Sequence, residues 1–383
     1  MSATPLDGIR VVELTHMVMG PTCGLTLADL GADVVKVEPP GGDNTRRLTG
    51  SGAGFFAAFN RNKRSLSVDL KTADGIGAVR ALVDRADVLV ENFRPGALDK
   101  LGLGPDALRA ANPRLIYCSL KGFLPGPYSH RVALDEVVQM MGGLAYMTGP
   151  PGQPLRAGSS AIDIMGGLCG AIAILGALEE RHRTGQGAHV QAALFESVAL
   201  LMAQHMAQYA VTGVEPPPMS TRQVAWPVYD IFDTANGGQL FVGVVTDTQW
   251  RLFCEAFGLQ ALLNDPTLAT QADRVAARSR VIPVVAAALR AHARDALIAR
   301  LEQIGLPYAP IARPVELLDD PHLLASGGLL PVRLPGGGGV TTRLPALPVA
   351  FDGARPGLRR GLPGVGEHTA EILSELDSER AAE

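Results

Sequence analysis

Ile9-Arg10-Val11-Val12-Glu13-Leu14 and Asp33-Val34-Val35-Lys36-Val37-Glu38 are two apolar segments near the start of the chain, and the fold can be predicted from them and from what lies between them. Both segments are rich in β-branched apolar residues and predict buried strands. Between them, an apolar helical pattern over 25–30 ends at Gly31. The connection is long enough to cross over between parallel strands, so the stretch predicts a strand–helix–strand unit.

The same alternation continues through the first half of the chain. Further strands are predicted over 65–70, 87–91, 115–120 and 190–194, and helices over 72–85, 134–145, 162–181 and about 197–211. Strands that alternate with helices are typical of a parallel sheet covered on both faces. The sequence therefore predicts an α/β fold with a doubly wound, Rossmann-like large domain.

A second, smaller α+β domain is predicted after a Pro-rich connector. Two strand-like runs, 228–234 and 239–244, flank Ala235-Asn236-Gly237-Gly238, which is a strong hairpin signal. Helices follow from Thr246 and over 279–305. We expect a large domain over 1–212 that is completed by 326–383, a linker over 213–227, and the small domain over 228–325.

Composition restricts the class of protein. A net charge of −4 argues against nucleic-acid binding, and four scattered cysteines without a C-x-x-C pair predict free thiols and no metal site. The longest apolar run, 164–178, is shorter than the roughly 18 residues of a membrane span, so we expect a core helix and no membrane. No secretion signal is recognisable, which predicts a cytoplasmic protein.

Asp163 is the most informative single residue. It lies in Ala161-Ile162-Asp163-Ile164-Met165-Gly166-Gly167, and no other charged side chain occurs between Arg156 and Glu179. Aspartate at the start of a helix is a common N-cap. A carboxylate in an apolar setting is equally a candidate nucleophile. The residues alone leave both interpretations open.

A group of cations follows the second and third predicted strands: Arg46, Arg47, Arg61, Lys63, Arg64 and Lys71, with Arg94 and Lys100 after the next strand. The carboxyl ends of parallel strands are where open α/β sheets bind ligands, so this group is either a phosphate site or a solvated basic face. The dinucleotide motif G-x-G-x-x-G is missing after the first strand, where only Gly20 occurs, which excludes a NAD-dependent enzyme.

Five segments, in this order along the chain, resemble the family III CoA-transferases, the CaiB/BaiF family that contains formyl-CoA transferase and carnitine CoA-transferase. They are 30–38, 60–65, 90–97, 112–117 and 177–187. The resemblance covers nearly the whole chain. It implies an enzyme that uses acyl-CoA and a carboxylic acid as substrates, without a tightly bound cofactor, and a ring-shaped chain in an interlocked homodimer.

The resemblance also implies site residues. Asp163 matches the family nucleophile, which forms an aspartyl anhydride and then an aspartyl-CoA thioester. The implied CoA contacts are Val18, Met19, Val68, Lys71, Asn92, Phe93, Arg94, Lys100, Arg131 and Asp135. We further predict that Arg131 or Arg222 pairs with the far carboxylate of a dicarboxylic acid, with succinyl-CoA as donor.

The chain departs from the family pattern at two places. Pro39 replaces an arginine that binds a phosphate of CoA, and that interaction is either absent or supplied by Arg46 or Arg47. A glycine-rich lid expected near 216–226 is replaced by a Pro-rich segment, which disfavours oxalate as acceptor; the glycines of 336–339 lie too far along the chain to be that lid.

Two other functions compete with the transferase. The related α-methylacyl-CoA racemases use a His-Asp pair, whereas this chain has Leu134-Asp135, and leucine cannot move protons. His130, one helical turn away, keeps that alternative open. His16 and His182 are interpreted as loop or core residues. The third possibility is a CoA-binding protein without catalysis.

Overall fold

The computed structural model describes residues 4–221, 224–334 and 339–382. The strands are β1 (Arg10–Leu14), β2 (Asp33–Glu38), β3 (Lys63–Ser67), β4 (Val88–Glu91), β5 (Ile116–Lys121), β6 (His189–Ala193), β7 (Val228–Asp233), β8 (Gln239–Val244), β9 (Tyr308–Pro310), β10 (Leu329–Arg333) and β11 (Thr341–Pro345). The helices are α1 (Met19–Asp29), α2 (Phe55–Phe59), α3 (Ala73–Asp84), α4 (Pro105–Ala111), α5 (Asp135–Met141), α6 (Leu144–Thr148), α7 (Ala161–Thr184), α8 (Leu194–Leu201), α9 (Ala203–Thr212), α10 (Asp247–Ala256), α11 (Gln260–Leu263), α12 (Gln271–Ala276), α13 (Arg278–Arg290), α14 (Arg294–Gln303), α15 (Pro321–Ala325) and α16 (Thr369–Ala382).

The chain divides into two compact units. The first comprises Met1–Thr221 and Leu318–Glu383, and the second comprises Arg222–Leu317. The predicted linker, 213–227, contains the first of these boundaries, and the second boundary lies before the predicted one at 325. The functional assignment of the two domains stays a prediction.

A six-stranded parallel sheet forms the first unit, in the order β3-β2-β1-β4-β5-β6. The predicted parallel α/β sheet is thereby confirmed. The chain moves outward from β1 to β3 and then returns to β4 on the other side of β1. This reversal is a topological switch point, and in open α/β sheets ligands bind outside the carboxyl ends of the strands at that point.

Both faces of the sheet are buried, because side chains along each strand alternate between two apolar clusters. Val11 packs into the cluster that contains Leu27 of α1 and Ile174 of α7. Its neighbour Val12 packs into the cluster that contains Ile372 of α16. Helices therefore cover both faces, which explains why the strands are almost continuously apolar.

The second unit has its own core and its own sheet. β7 and β8 pair as the predicted antiparallel hairpin, and β9 adds to the other edge of β8. Val242, Trp250, Phe253 and Leu289 are buried between this sheet and the helices of the unit. The unit is thus a small α+β body, as the sequence predicted for this part of the chain.

Several predicted elements were too long or were missed. The helix predicted over 134–145 is two helices, because Gly143 has a left-handed backbone with φ 84°. The helix predicted over 197–211 divides at Met202, whereas the helices predicted over 279–305 are found as α13 and α14. β10 and β11 form a hairpin that the sequence did not predict, because the tail is rich in Gly and Pro. Residues 336–338 lie outside the described residues.

Within the described ranges, α7 is the one helix long and apolar enough to cross a membrane, with a mean hydropathy of 2.0 over 18 residues, of which 44% are buried. It packs against α1 and the sheet, as an internal helix does. Its outer side carries Leu168, Ile172 and Leu175, which are exposed.

Candidate active site

Asp163 lies in the first turn of α7 and is not the N-cap. The helix begins at Ala161, and Ser160 occupies the N-cap position without a side-chain hydrogen bond. The N-cap interpretation of Asp163 is therefore wrong. Among the described residues, no donor hydrogen-bonds its carboxylate, which leaves the oxygens available to a substrate.

The capping group at this helix end is Asp135, a carboxylate from another helix. Its Oδ1 accepts hydrogen bonds from the backbone N–H of Ile162 (2.9 Å) and Asp163 (3.0 Å). Its Oδ2 accepts from Gln139 (2.5 Å) and lies 3.4 Å from Arg156. These bonds tie Asp135 to the first turn of α7, and the contact to CoA predicted for Asp135 stays a prediction.

Two glycines of α7 let the helix approach the start of α1. A Cβ atom added at Gly167 would lie 2.4 Å from the carbonyl oxygen of Met19, and one at Gly166 would lie 2.8 Å from the Met19 side chain. Residues three and four apart share one helix face, so Asp163 lies on the side that faces α1. The predicted nucleophile and part of the predicted CoA site are thus brought together.

The loop between β1 and α1 (residues 15–18) is held across the switch point by reciprocal hydrogen bonds. The His16 N–H donates to Asn92 Oδ1 (3.0 Å), and Asn92 Nδ2 donates to the His16 carbonyl (2.8 Å). Thr45 accepts from the N–H of Met17, whose φ is 63°. The loop is preorganised before any ligand arrives.

The other predicted CoA contacts occupy different environments. Val18 and Met19 are buried, so a contact to CoA from them would come through the backbone. The Phe93 ring lies 5.8 Å from the His16 ring, and Val68 is half-buried. The exposed cations among these predicted contacts are Lys71, Arg94, Lys100 and Arg131. The positions 18–19, 68–71 and 92–100 all follow carboxyl ends of β1, β3 and β4.

Half of the basic group, four of its eight cations, is internal and paired with carboxylates, so neither interpretation holds for the whole group. The paired cations are Arg46 with Glu38 (2.6 Å), Arg61 with Asp29 (2.5 Å), Lys63 with Glu13 (2.7 Å) and Arg64 with Asp33 (2.6 Å). These four side chains hold the large unit together and do not form a phosphate surface. Arg47 stays exposed while donating to the Gly41 carbonyl, so it is better placed than Arg46 to bind phosphate in place of the arginine that Pro39 replaces.

Two buried charged side chains, Glu13 and Lys36, form hydrogen bonds to Thr15 at the start of the β1–α1 loop. Glu13 accepts from the Thr15 hydroxyl (2.8 Å), and Lys36 donates to the Thr15 carbonyl (2.8 Å). Burial lowers the pKa of Lys63, the partner of Glu13, to about 8. Removing one member of such a buried pair leaves the other charge unpaired, which is strongly destabilising.

Burial and, to a lesser degree, the neighbouring Asp135 carboxylate raise the pKa of Asp163 to about 7, while Arg156 opposes the rise. A helix N-terminus by itself favours the ionised form of a carboxylate. Desolvation outweighs that effect, which amounts to roughly 0.3–1 kcal/mol at an exposed helix end. Near neutral pH, a substantial share of the free protein therefore carries a protonated Asp163.

We expect kcat/KM for an acyl-CoA donor to rise with pH through about 7, because only the ionised carboxylate is a nucleophile. The charged groups that act on it are Asp135 of α5 and Arg156 of the segment before α7. Asp135→Asn keeps an oxygen for capping and removes the repelling charge, so its pH profile should shift to lower pH. A rate independent of pH across this window would contradict the assignment.

Asp163 also makes stability depend on pH. The pKa of the Asp163 carboxyl is near its ordinary value of 3.8 in the unfolded chain and about 7 in the folded chain. Between these two pKa values, Asp163 is protonated in the folded state and ionised in the unfolded state. The free energy of unfolding therefore falls as the pH rises from the lower value through the higher one. The side chain of the Asp163→Asn variant does not titrate. The free energy of unfolding of this variant, relative to that of the natural chain, should therefore rise by on the order of 1–3 kcal/mol between about pH 4 and pH 8. Urea titrations of the variant and the natural chain at both pH values measure this change. The same difference in stability between the two proteins at pH 4 and at pH 8 would contradict the prediction.

Arg156 is the functional candidate that sequence reasoning missed. It donates to Glu136 (2.6 Å) and to the carbonyl of Ser159 (3.1 Å), and its charge acts on Asp163. The available signal was a cation seven residues before the predicted nucleophile. Arg222, predicted to bind a second carboxylate, lies outside the described residues.

A cleft of about 760 Å³ lies against the start of α7, where Ser160 and Ile164 line it and Asp163 does not. One side is formed by α2 and the other by the segment before α7. The lining residues are Ser51, Gly54, Phe55, Ala58, Phe59, Thr148, Leu155, Arg156, Ala157, Gly158, Ser159, Ser160 and Ile164. The walls are mostly apolar, and Arg156 is the charged side chain among them.

Two further predictions concern a catalytic base and a metal site. α5 begins at Asp135, so His130 lies in the irregular segment before the helix and is not one helical turn from Asp135. The racemase alternative loses its base. Within the described ranges, no group of three or more His, Cys, Asp or Glu side chains could hold a metal ion, and the four cysteines are free.

Comparison with known proteins gives consistent matches. The model of CoA-transferase family III matches residues 6–369. The chain is 37% identical to the succinate–glutarate CoA-transferase of Agrobacterium fabrum, over 99% of this chain and 97% of that protein. It is 34% identical to the succinyl-CoA–D-citramalate CoA-transferase of Chloroflexus aurantiacus, over 97% and 94%. The crystal structure of a CAIB/BAIF family protein from Brucella suis superposes with a TM-score of 0.85 at 38% identity, covering 98% of this chain and 100% of that one.

Proposed function

The chain belongs to CoA-transferase family III and is a CoA-transferase, and from this premise we propose that it moves CoA between two dicarboxylic acids through covalent intermediates on Asp163. The observation that carries the proposal is the half-buried Asp163 carboxylate, which has no hydrogen-bond donor among the described residues while Asp135 holds the backbone N–H of Asp163. The Asp163 side chain carries the same functional group as the substrate acids, so it can take part in the exchange as a third carboxylate.

The proposed reaction conserves atoms, electrons and protons. The Asp163 carboxylate attacks the carbonyl of the donor thioester, the C–S bond breaks, and CoA leaves as thiolate from a mixed anhydride. The thiolate attacks the Asp163 carbonyl, which releases the donor acid as carboxylate and leaves an aspartyl-CoA thioester. The acceptor carboxylate then repeats these two steps in reverse, and Asp163 is regenerated as a carboxylate.

Groups of this chain assist at defined points. The N–H groups of Met19 and Gly20 precede the first intrahelical bond of α1, from Thr22 to Val18, and are our candidates for the oxyanion donors. Gly166, close to Asp163 in sequence, lies within α7, where its N–H belongs to the helix. The apolar walls beside Asp163 would slow hydrolysis of the anhydride.

The names of the relatives support dicarboxylic substrates, since both act on succinate or succinyl-CoA. A panel of acyl-CoA donors with mono- and dicarboxylic acceptors tests this directly. We expect succinyl-CoA with a second dicarboxylate to give the highest kcat/KM. Equal rates with the matching monocarboxylates would refute the dicarboxylate assignment, and CoA binding without any exchange would favour a non-catalytic protein.

We also propose that the protein is a cytoplasmic homodimer of interlocked ring-shaped chains. The exposed apolar side chains of α7 to α9 support burial by a second copy; they are Leu168, Ile172, Leu175, Leu200, Leu201, Met206, Tyr209 and Val211. Light scattering after size-exclusion chromatography should give twice the chain mass of 40.2 kDa. A monomer at all concentrations would contradict this.

A further inference from the structure

Arg156 lines the cleft at the start of α7, its charge acts on Asp163, and it retains capacity to bind an anion. Its Nε donates to the Ala157 carbonyl, its Nη2 to Ser159 and Asp135, and its Nη1 to Glu136. A guanidinium has five N–H donors, so these four hydrogen bonds leave one for another acceptor. About a third of the side chain, 34%, is exposed.

The remainder of the cleft matches the hydrocarbon part of a short acyl group. Phe55, Phe59, Leu155 and Ile164 contribute apolar walls, while Arg156 supplies the positive charge. A group bound there would lie between this charge and the first turn of α7, where Asp163 is found. Apolar contact for methylene groups and a guanidinium for a terminal carboxylate are the two requirements of a dicarboxylic acyl chain.

We propose that Arg156 binds the distal carboxylate of the dicarboxylic acyl group while its other end reacts at Asp163. This inference rests on the proposed transferase function, and it names the residue that selects the substrate class. In the free protein the Glu136 carboxylate accepts a hydrogen bond from Arg156 Nη1, and the Glu136 side chain is 58% exposed. It can turn into solvent when the substrate carboxylate takes its place at Nη1.

Arg131, one of the two residues that the sequence suggested for this role, has a different setting. Its guanidinium stacks over the Tyr128 ring at 4.1 Å from the ring centre. It is exposed and does not line the cleft. Arg131→Gln therefore serves as the direct competitor to Arg156→Gln in any test of carboxylate selection.

The kinetic test compares glutarate with pentanoate, which has the same chain length and lacks the second carboxylate, as acceptors of CoA from succinyl-CoA. The acceptor kcat/KM of Arg156→Gln should fall roughly 10–100-fold for glutarate, the loss expected for a charge-assisted hydrogen bond, and less than about threefold for pentanoate. Arg156→Lys should recover part of the loss. Arg183→Gln, at the far end of α7, is the matched control, because Arg183 pairs with Glu180 and, among the described residues, does not line the cleft.

A second variant gives a readout that a structural role would not move. Glu136→Gln removes the carboxylate that competes for Arg156, so KM for glutarate should fall while KM for pentanoate stays the same. An equal loss for both acids in Arg156→Gln, together with a pH profile shifted to higher pH, would mean that Arg156 acts only on Asp163. A selective loss of glutarate in Arg131→Gln would move the role to Arg131. Either outcome overturns the inference.

Equilibrium binding separates this inference from the proposed function. Calorimetry with free glutarate and pentanoate needs no turnover. If glutarate binds in an Arg156-dependent way but the protein transfers no CoA, the transferase mechanism is refuted and the carboxylate site is supported. Transfer by the natural chain with glutarate affinity unchanged in Arg156→Gln would sink the site and keep the mechanism.

Discussion

Asp163→Asn is expected to lower kcat for CoA transfer by about 10³-fold or more, the scale seen when a covalent nucleophile is removed. The amide has nearly the shape of the carboxylate but cannot form an anhydride. Asp135 holds the backbone N–H of Asp163, and that bond does not involve the substituted side chain. We therefore expect the fold and the affinity for CoA to persist while transfer stops.

Steady-state exchange and calorimetry with CoA measure the two quantities separately. Asp74→Asn is the matched control, because Asp74 is also an aspartate in the first turn of a helix and is exposed on α3. Asp163→Ala provides a second variant that cannot be reversed by deamidation. Transfer at the natural rate in both Asp163 variants would show that another residue carries the acyl group.

Gly167→Ala is expected to lower the free energy of unfolding by about 2–3 kcal/mol, in the upper range for overpacked cores. The added methyl group would meet the Met19 carbonyl oxygen at 2.4 Å, and backbone atoms cannot move aside cheaply. The helices α1 and α7 must separate, which also moves Asp163 away from the β1–α1 loop. Activity should therefore fall in the fraction that still folds.

Gly77→Ala in α3 is the control for this substitution. A Cβ atom at Gly77 meets no atom within 4 Å, and the residue is exposed. Alanine in an exposed helix interior should stabilise the protein by roughly 0.5–1 kcal/mol. Urea unfolding of both variants measures the contrast. Similar effects for the two would mean that close contact between α1 and α7 is not what Gly167 provides.

The sheet could be predicted because its determinants are local. β1, β2 and β4 are short apolar runs separated by helical patterns, and their burial on both faces makes these runs continuous. The ends of the helices were less predictable, since Met202 and Gly143 interrupt patterns whose apolar spacing continues beyond them. The hairpin of β10 and β11 depends on pairing that Gly- and Pro-rich composition conceals.

Within the site, the nucleophile could be predicted and its support could not. Asp163 contrasts with its own neighbours in sequence, but its capping partner Asp135 is 28 residues away. The same limit explains the basic group, where Lys63 pairs with Glu13 and Arg61 with Asp29. Charges close together in sequence resembled a surface cluster, and only the tertiary structure brings their carboxylate partners to them.

The most direct measurement of the central claim follows oxygen from the acceptor acid to Asp163. An acceptor labelled with oxygen-18 in its reacting carboxylate should transfer label to the Asp163 side chain, because the anhydride oxygen stays with the aspartate when thiolate attacks the acceptor carbonyl. Mass spectrometry of the peptide that contains Asp163 should show one and then two heavy oxygens as turnover proceeds. An unlabelled peptide after many turnovers would contradict the account.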